Sequence, residues 1–343
     1  MAEISVVVPV YGCRGCLRPL HDRLVAALTE LTGDYELIFV DDRSVDGSWA
    51  ELLELSRMDP HVKLVRLSRN FGQHPAITAG LAEASAEWVV VTDCDLEDPP
   101  EEIPRLWAKA HEGYDFVLSR RLQRRQVLWR RMGARAYRWL ANRLAGTDVD
   151  PHYTNLSLLS RRVVDAFLRF RDQDRQYLLM LLWLGFRYDV IEVNQDERYA
   201  GHSSYTFRQL LRVAADGVFF STTRLLRWIV YAGFAVGAAG LLLAALAVIN
   251  WIERDPPTGY TSLAVVILLL GGMIIGCVGV MGLYVGKVFA QVKGRPLYVV
   301  DEVIQGGITS PHAGVPADAE VGIDAAEPMT PRPDPEISPA PRF

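Results

Sequence analysis

Short apolar runs alternate with longer amphipathic ones through the first half of the chain. Residues 4–10, 35–40, 62–67 and 88–92 are rich in β-branched side chains and too short for helices, so they read as buried strands. Between them, Leu17, Leu20, Leu24, Leu28 and Leu31 share one helical face, residues 43–48 form a turn able to cap a following helix, and residues 75–84 read as a helix. This β-α-β-α-β-α-β order predicts an α/β domain with a mostly parallel sheet and helices on both faces. Residues 116–119, 153–160 and 187–193 read as further strands, with a helix expected over residues 174–185.

The pattern then changes. Phe207, Leu210, Leu211, Ala214 and Val218 fall at helical spacing with Arg208 and Arg212 beside them, which predicts an amphipathic helix lying at a membrane surface. Two apolar segments follow, residues 228–249 and 263–285, each of about 22 residues and long enough to cross a bilayer. Arg224 and Arg227 precede the first; Lys287, Lys293 and Arg295 follow the second. The loop between them holds Arg254 flanked by Glu253 and Asp255. Positive charge at both outer ends is expected to place the N-terminal domain and both termini in the cytoplasm, a multi-pass arrangement in the cell membrane. No Asp, Glu, Lys, Arg or His lies within either segment, which argues against a transporter or proton pump. From about residue 305 the chain is rich in Pro, Ala, Gly and acids and is expected to be disordered.

The chain has 343 residues, half of them hydrophobic, and a formal net charge of −5. That charge is unevenly spread. Arg120, Arg121, Arg124, Arg125, Arg130, Arg131, Arg135, Arg138 and Arg143 crowd one stretch that contains no lysine. Guanidinium groups match phosphate in a bidentate way, although most of such a run is a solvated helix face. A nucleic-acid partner is not expected, because the basic run is local and membrane-like segments follow. Met1-Ala2-Glu3 lacks the positive start of a secretory signal. Four cysteines, with Cys13 and Cys16 in a C-x-x-C after the first strand, read as a reduced, cytosol-facing set rather than a disulfide framework.

The candidate chemistry lies where two predicted strands end. Asp41-Asp42 follows the second strand, and Asp93-Cys94-Asp95-Leu96-Glu97-Asp98-Pro99-Pro100 follows the fourth. Ligands of open α/β sheets bind at the carboxyl ends of strands. Clustered carboxylates there suit a hard divalent cation shared with substrate phosphates, although the same stretch could simply be a capped turn before a helix. No G-x-G-x-x-G follows the first strand, so a dinucleotide site is not expected. His74 and His202 read as loop or packing residues.

Taken in order, Val-Val-Val-Pro-Val-Tyr at residues 6–11, Asp41-Asp42-x-Ser-x-Asp-Gly-Ser, Arg69-Asn70-Phe71-Gly72-Gln73-His74, Asp93-x-Asp95-Leu-Glu-Asp-Pro-Pro-Glu101 and Arg198-Tyr-Ala-Gly201-x-Ser203-x-Tyr205, ahead of two apolar segments, resemble the polyprenyl-phosphate glycosyltransferases of glycosyltransferase family 2. The resemblance covers roughly residues 3–300. It implies a GT-A fold and inverting transfer of a sugar from a nucleotide donor to a lipid phosphate, for cell-envelope glycan assembly. Pro9, Tyr11, Asp41 and Asp42 would then contact the donor nucleotide. Asp93 and Asp95 would serve the diphosphate and a Mg²⁺ or Mn²⁺ ion, with Glu97 as a further ligand where relatives usually have Gln. Arg120 and Arg131 would hold phosphates, and Arg135, Arg198 and Ser203 would lie by the lipid phosphate or its loop.

The chain departs from the family pattern at three places. Asn155-Leu156-Ser157-Leu158 stands where relatives often carry Asp-Phe-Arg-Leu, Ala134 where some have Ser, and Ser204 where Lys is common. Two other readings therefore stay open: a membrane scaffold of the same fold that has lost turnover, and a transferase acting on a non-phosphate lipid. The expected organisation is a catalytic domain over residues 1–203, an amphipathic juxtamembrane segment over 204–224, a two-helix membrane region over 225–290, a cytoplasmic segment over 291–304 and a tail over 305–343. The expected partners are a nucleotide sugar, a polyprenyl phosphate and the membrane, with room for a homo-oligomer.

Overall fold

A computed structural model describes residues 2–122, 150, 152–173, 175–194, 231, 260–306 and 308–310. Strands β1 (Ile4–Val10), β2 (Tyr35–Asp41), β3 (Val62–Leu67) and β4 (Trp88–Val91) form where the apolar runs place them. They alternate with helices α1 (Arg14–Thr29), α2 (Ser48–Met58) and α3 (Gln73–Glu83). A 3₁₀ turn at Pro100–Glu102 leads into α4 (Ile103–Ala110). Then come β5 (Phe116–Arg121), β6 (Tyr153–Ser160), α5 (Arg161–Leu168), α6 (Tyr177–Trp183) and β7 (Tyr188–Val193). A long helix α7 (Tyr260–Val292) and strands β8 (Val300–Gln305) and β9 (Ile308–Ser310) complete the described chain.

One sheet of nine strands runs β7-β5-β6-β4-β1-β2-β3-β8-β9. The β4-β1-β2-β3 centre is parallel, β5 pairs with β7 in parallel, and β6 and β8 are antiparallel to their neighbours. All strands except β6 and β8 thus point one way, as expected for a mostly parallel sheet. The two faces bury separate cores. Val6, Val8, Leu17, Leu24, Leu52 and Leu106 pack on the side of α1, α2 and α4. Val7, Ile38, Ile77, Val89, Val164 and Leu181 pack on the side of α3, α5 and α6. Every β1 and β2 residue is buried, which is why these strands read as mainly apolar runs rather than alternating ones; the exceptions within them, Ser5 and Glu36, bond to each other at 2.6 Å.

The chain order reverses at β1. From β1 the chain crosses through α1 to β2 on one side, whereas β4 lies on the other side of β1. A crevice at the carboxyl ends of β1 and β4 is therefore the switch point where such sheets bind ligands. Pro9 fits this position. The Val7 carbonyl accepts from Thr92 N–H toward β4, and the Val10 carbonyl accepts from Asp42 N–H toward β2. Pro9, two residues past Val7, thus turns its missing donor toward the side where β4 has already ended, and no ladder bond is lost.

Three features differ from the sequence expectation. Helix α5 occupies residues assigned to no element, and the expected 174–185 helix shortens to α6. The stretch expected to be structureless from residue 305 begins with strand pairing, because β8 adds to the edge of β3 and β9 adds to β8. Arg66–Glu302 and Arg43–Asp301 ion pairs, at 3.2 and 2.7 Å, fasten this late segment to the first part of the chain. Cys13 and Cys94 form a disulfide across 81 residues, correcting the expectation of an all-reduced set. They meet because β1 and β4 are neighbours in the sheet, which cysteine spacing cannot reveal.

Helix α7 contains the second expected span. Leu263, Ile267, Ile274, Val278, Val285 and Phe289 on it are exposed. Its last turn is anchored to the α5–α6 connection: Gln291 Nε2 donates to Arg171 O at 2.8 Å, and Gln173 N–H donates to Gln291 Oε1 at 3.1 Å. Taken over the described residues alone, no helix is long and apolar enough to cross a membrane. The amphipathic segment at 204–224, the span at 228–249 apart from Tyr231, and the tail beyond residue 310 lie outside the described residues.

Candidate active site

Three strand ends converge at the switch point. Past β1 lie Tyr11, which is 54% exposed, and Cys13. Asp41 ends β2 and Asp42 follows it. Asp93, Cys94 and Asp95 follow β4. The disulfide joins the first and last of these ends across the crevice.

The two acids after β2 do different work. Asp41 is fully buried; its Oδ1 accepts from Ser44 N–H at 3.0 Å, and its Oδ2 lies 3.5 Å from Arg66 Nε. Asp42 accepts from Phe71 N–H at 2.7 Å and Gly72 N–H at 2.8 Å. Burial pushes its pKa up, against the pull of these two donors. It thus ties the Arg69–Gly72 loop to the end of β2, with Arg69 stacked over the Phe71 ring at 4.1 Å. Gly72, at φ +100°, allows the sharp entry from this loop into α3.

Among the described acids, Asp93 is the most strongly perturbed. Part of its surface remains open to solvent, yet its carboxylate is densely surrounded by protein atoms. That desolvation, with repulsion from Asp95 and Asp98, pushes its pKa up to about 7 even though Asn155 and Gln73 donate to it. Asp95 Oδ1 accepts from Glu97 N–H at 3.1 Å and so turns the acidic loop. Leu96 between them is buried and sits at φ +63°, a left-handed conformation that a branched side chain adopts only when its surroundings hold it there. Glu97 pairs with Arg121 at 3.3 Å. Arg120 pairs with Glu192, and with Asp150 at 3.6 Å.

His74 accepts from Tyr177 N–H at 3.4 Å through Nδ1, and burial lowers its pKa. Its ring nitrogen is engaged by the backbone at the start of α6, as for a packing residue. The Tyr177 hydroxyl is fully buried against Ser157 Oγ at 2.7 Å. Sequence reasoning quoted Gln73 only as part of the Arg69–His74 run, treated Asn155 and Ser157 only as departures from an acid and a base, and passed over Tyr177. The Gln73 signal was present in the Asn-Phe-Gly-Gln run; Tyr177 carried none. Arg131, Arg135, Arg198, Ser203, His202, Ala134 and Ser204 lie outside the described residues.

Among the described residues, no three acidic, His or Cys side chains lie close enough to hold a metal ion by themselves. The donor chemistry nonetheless suits one. Asp93, Asp95 and Glu97 offer only oxygen, and mutual repulsion around Asp93 is what a cation would relieve. Small hard cations such as Mg²⁺ commonly take one or two carboxylates and complete their shell with substrate phosphates.

The sequence profile described as "Glycosyl transferase family 2" matches residues 5–168, from β1 through α5. Glycosyltransferase YkcC of Bacillus subtilis is 33% identical over 302 residues, covering 88% of this chain and 94% of its own length. Undecaprenyl-phosphate 4-deoxy-4-formamido-L-arabinose transferase of Yersinia pestis is 34% identical over 308 residues, again 88% and 94%. The chain therefore belongs to glycosyl transferase family 2, and it is a glycosyltransferase. Among solved structures, the mannosyltransferase PcManGT from Pyrobaculum calidifontis, in complex with GDP-Man and Mn²⁺, overlaps 80% of this chain and 87% of its own, at 17% identity and a TM-score of 0.43. Glucosyl-3-phosphoglycerate synthase from Mycobacterium tuberculosis overlaps 64% and 76%, at 19% identity and the same TM-score of 0.43. The family assignment rests on the sequence relatives rather than on these overlaps.

Proposed function

We propose that this glycosyltransferase has a GT-A-type catalytic domain and moves a sugar, with inversion, from a nucleotide donor to a polyprenyl phosphate at the cytoplasmic face of a membrane. The observation that carries the acceptor is full-length similarity, 88% of this chain, to enzymes named for undecaprenyl phosphate. The described site supports it chemically. A lipid phosphate is already anionic and has less need of a general base, and Nδ1 of His74, the histidine beside Gln73, already accepts from Tyr177 N–H.

In this reading Tyr11 and Asp42 border the nucleotide, with Pro9 leaving the crevice open beside β4. One or two of Asp93, Asp95 and Glu97 would hold Mg²⁺ or Mn²⁺, with the donor diphosphate completing its shell. When bound, such an ion neutralises the departing nucleoside diphosphate. Arg120, Arg131, Arg135, Arg198 and Ser203 remain the candidates for the phosphates of donor and acceptor. Residues 204–224 would lie on the bilayer, and residues 225–290 would cross it twice, within them the apolar part of α7. That would keep the catalytic domain beside its lipid substrate.

The test uses the purified full chain in detergent with undecaprenyl phosphate, Mg²⁺ or Mn²⁺, and a panel of nucleotide sugars. Release of nucleoside diphosphate that needs both the lipid phosphate and Asp95, and is lost in Asp95→Ala, is the expected result. Release with a non-phosphate lipid, or none with any donor despite cation-dependent nucleotide binding, would overturn the acceptor assignment.

A further inference from the structure

Asn155 stands opposite Asp93 by the register of the sheet. In the β4–β6 ladder Val90 faces Leu158 and Val91 faces Ser157. Two residues on in each direction, the antiparallel register brings Asp93 against Asn155. The contact is direct: Asn155 Nδ2 donates to Asp93 Oδ1 at 3.1 Å and to Oδ2 at 3.0 Å. From the other side, Gln73 Nε2 at the start of α3 donates to Asp93 Oδ1 at 2.7 Å. Like charges placed directly opposite across a ladder repel. A neutral amide at position 155 instead supplies a donor to a carboxylate already crowded by Asp95 and Asp98.

The lone pairs can be counted. A carboxylate has about four acceptor sites, two on each oxygen. Gln73 and Asn155 together engage both on Oδ1, and Asn155 engages one on Oδ2. Two donors from different elements, one on strand β6 and one at the head of α3, therefore fix the carboxylate plane and leave Oδ2 with a free acceptor site.

We propose that Asn155 and Gln73 are positioning residues of the donor site, clamping Asp93 so that Oδ2 is the oxygen it offers to a divalent cation on the donor diphosphate. The proposal rests on the glycosyltransferase reading of the site, and it gives Asn155 a role in place of a lost one. Neither residue need touch the substrate. They act through Asp93, by denying its carboxylate the rotations that would misplace Oδ2. Ser157 and Tyr177 support the same strand from below: the Ser157 hydroxyl donates to Asn155 O at 2.8 Å and meets the Tyr177 hydroxyl at 2.7 Å.

Binding rather than turnover tests this, because it is independent of the acceptor. Mn²⁺ is titrated into the full-length protein with uridine or guanosine diphosphate, and free Mn²⁺ is followed by electron paramagnetic resonance. Asn155→Ala is expected to weaken cation binding about tenfold or more, in line with the loss of a hydrogen bond to a charged group. Gln73→Ala is expected to weaken it several-fold. In both, nucleotide binding without the cation should stay at the wild-type value, which a merely structural role would not produce. Unchanged Mn²⁺ affinity in both variants, or an equal loss of cation-free nucleotide binding, overturns the positioning role. Should Asn155→Ala fold poorly, Gln73→Ala, at the exposed start of a helix, decides alone. A wild-type protein that binds neither Mn²⁺ nor nucleotide would overturn the donor-site reading itself, and the positioning role with it.

Discussion

Cys13 and Cys94 are joined across the mouth of the crevice between β1 and β4, one bond linking the turn after the first strand to the centre of the acidic motif. A cross-link between residues 81 apart removes much of the freedom of the unfolded chain. In the chain-entropy account a link of this length stabilises by about 4–5 kcal/mol, and disulfides typically deliver about 2–4 kcal/mol. Cys94→Ser should therefore melt several degrees below the oxidised wild type. In strong dithiol reductant the two should converge, and a thermal melt with and without reductant reads both.

The Asp93 carboxyl titrates near neutrality, which sets a pH window. Its folded pKa, at about 7, is above the ordinary carboxylate value of 3.8. A raised acid contributes stability that is fully present below the unfolded pKa and lost as pH rises through the folded one. The ligand-free protein should gain stability from this group as pH falls from about 7 toward 4. Cation binding runs the other way, because the proton and the ion compete for the same carboxylate. Apparent Mn²⁺ affinity should fall by up to about tenfold per pH unit below 7. Asp93→Asn should flatten both profiles.

Asp42 holds the Arg69–Gly72 loop through two backbone donors. Asp42→Ala strands both N–H groups, at a cost of about 1–3 kcal/mol. Amide exchange at Phe71 and Gly72 should accelerate while exchange in α1 stays at the wild-type rate. Donor binding should weaken as well, since Gln73 follows this loop directly.

Gly80 lets α3 lie against the sheet. A Cβ there would come within 2.3 Å of Val7 Cγ1 and 3.1 Å of Val40 Cγ2. Replacing Gly by Ala in a free helix gains about 1 kcal/mol, but overpacking a tight core costs about 1–3 kcal/mol. Gly80→Ala should destabilise on balance, and the double variant with Val7→Ala should recover part of the loss. Denaturant midpoints of the single and double variants measure this.

Much of the fold was legible because its central strands are largely buried on both faces and so read as short runs dominated by Val, Ile and Leu. Asp93, Asp95 and the Asp41-Asp42 pair were legible for a related reason, since charge directly after such a run can only lie at a strand end. What escaped was information held in three dimensions. Helix α5 spans only residues 161–168, too short for periodicity to stand out, and its Arg161 is spent on the carbonyls of Ala84 and Ala86. The pairing of Cys13 with Cys94 follows from strand order. Asn155 looked like an absence until the β4–β6 register set it against Asp93. The sequence alone also could not separate Asp41, paired internally with Arg66, from Asp42, which holds a loop.

Strand β8 completes the edge of β3 with residues made long after it: Arg66 and Glu302 are 236 positions apart, Arg43 and Asp301 258. On the ribosome, the first three strands emerge and wait through the synthesis of everything between. Until then β3 presents a row of unpaired backbone groups, the kind of edge that invites pairing with other chains. The sheet is thus sealed last, by the segment that follows α7. A nascent chain halted before residue 300 carries every acid of the crevice and still lacks its finished border.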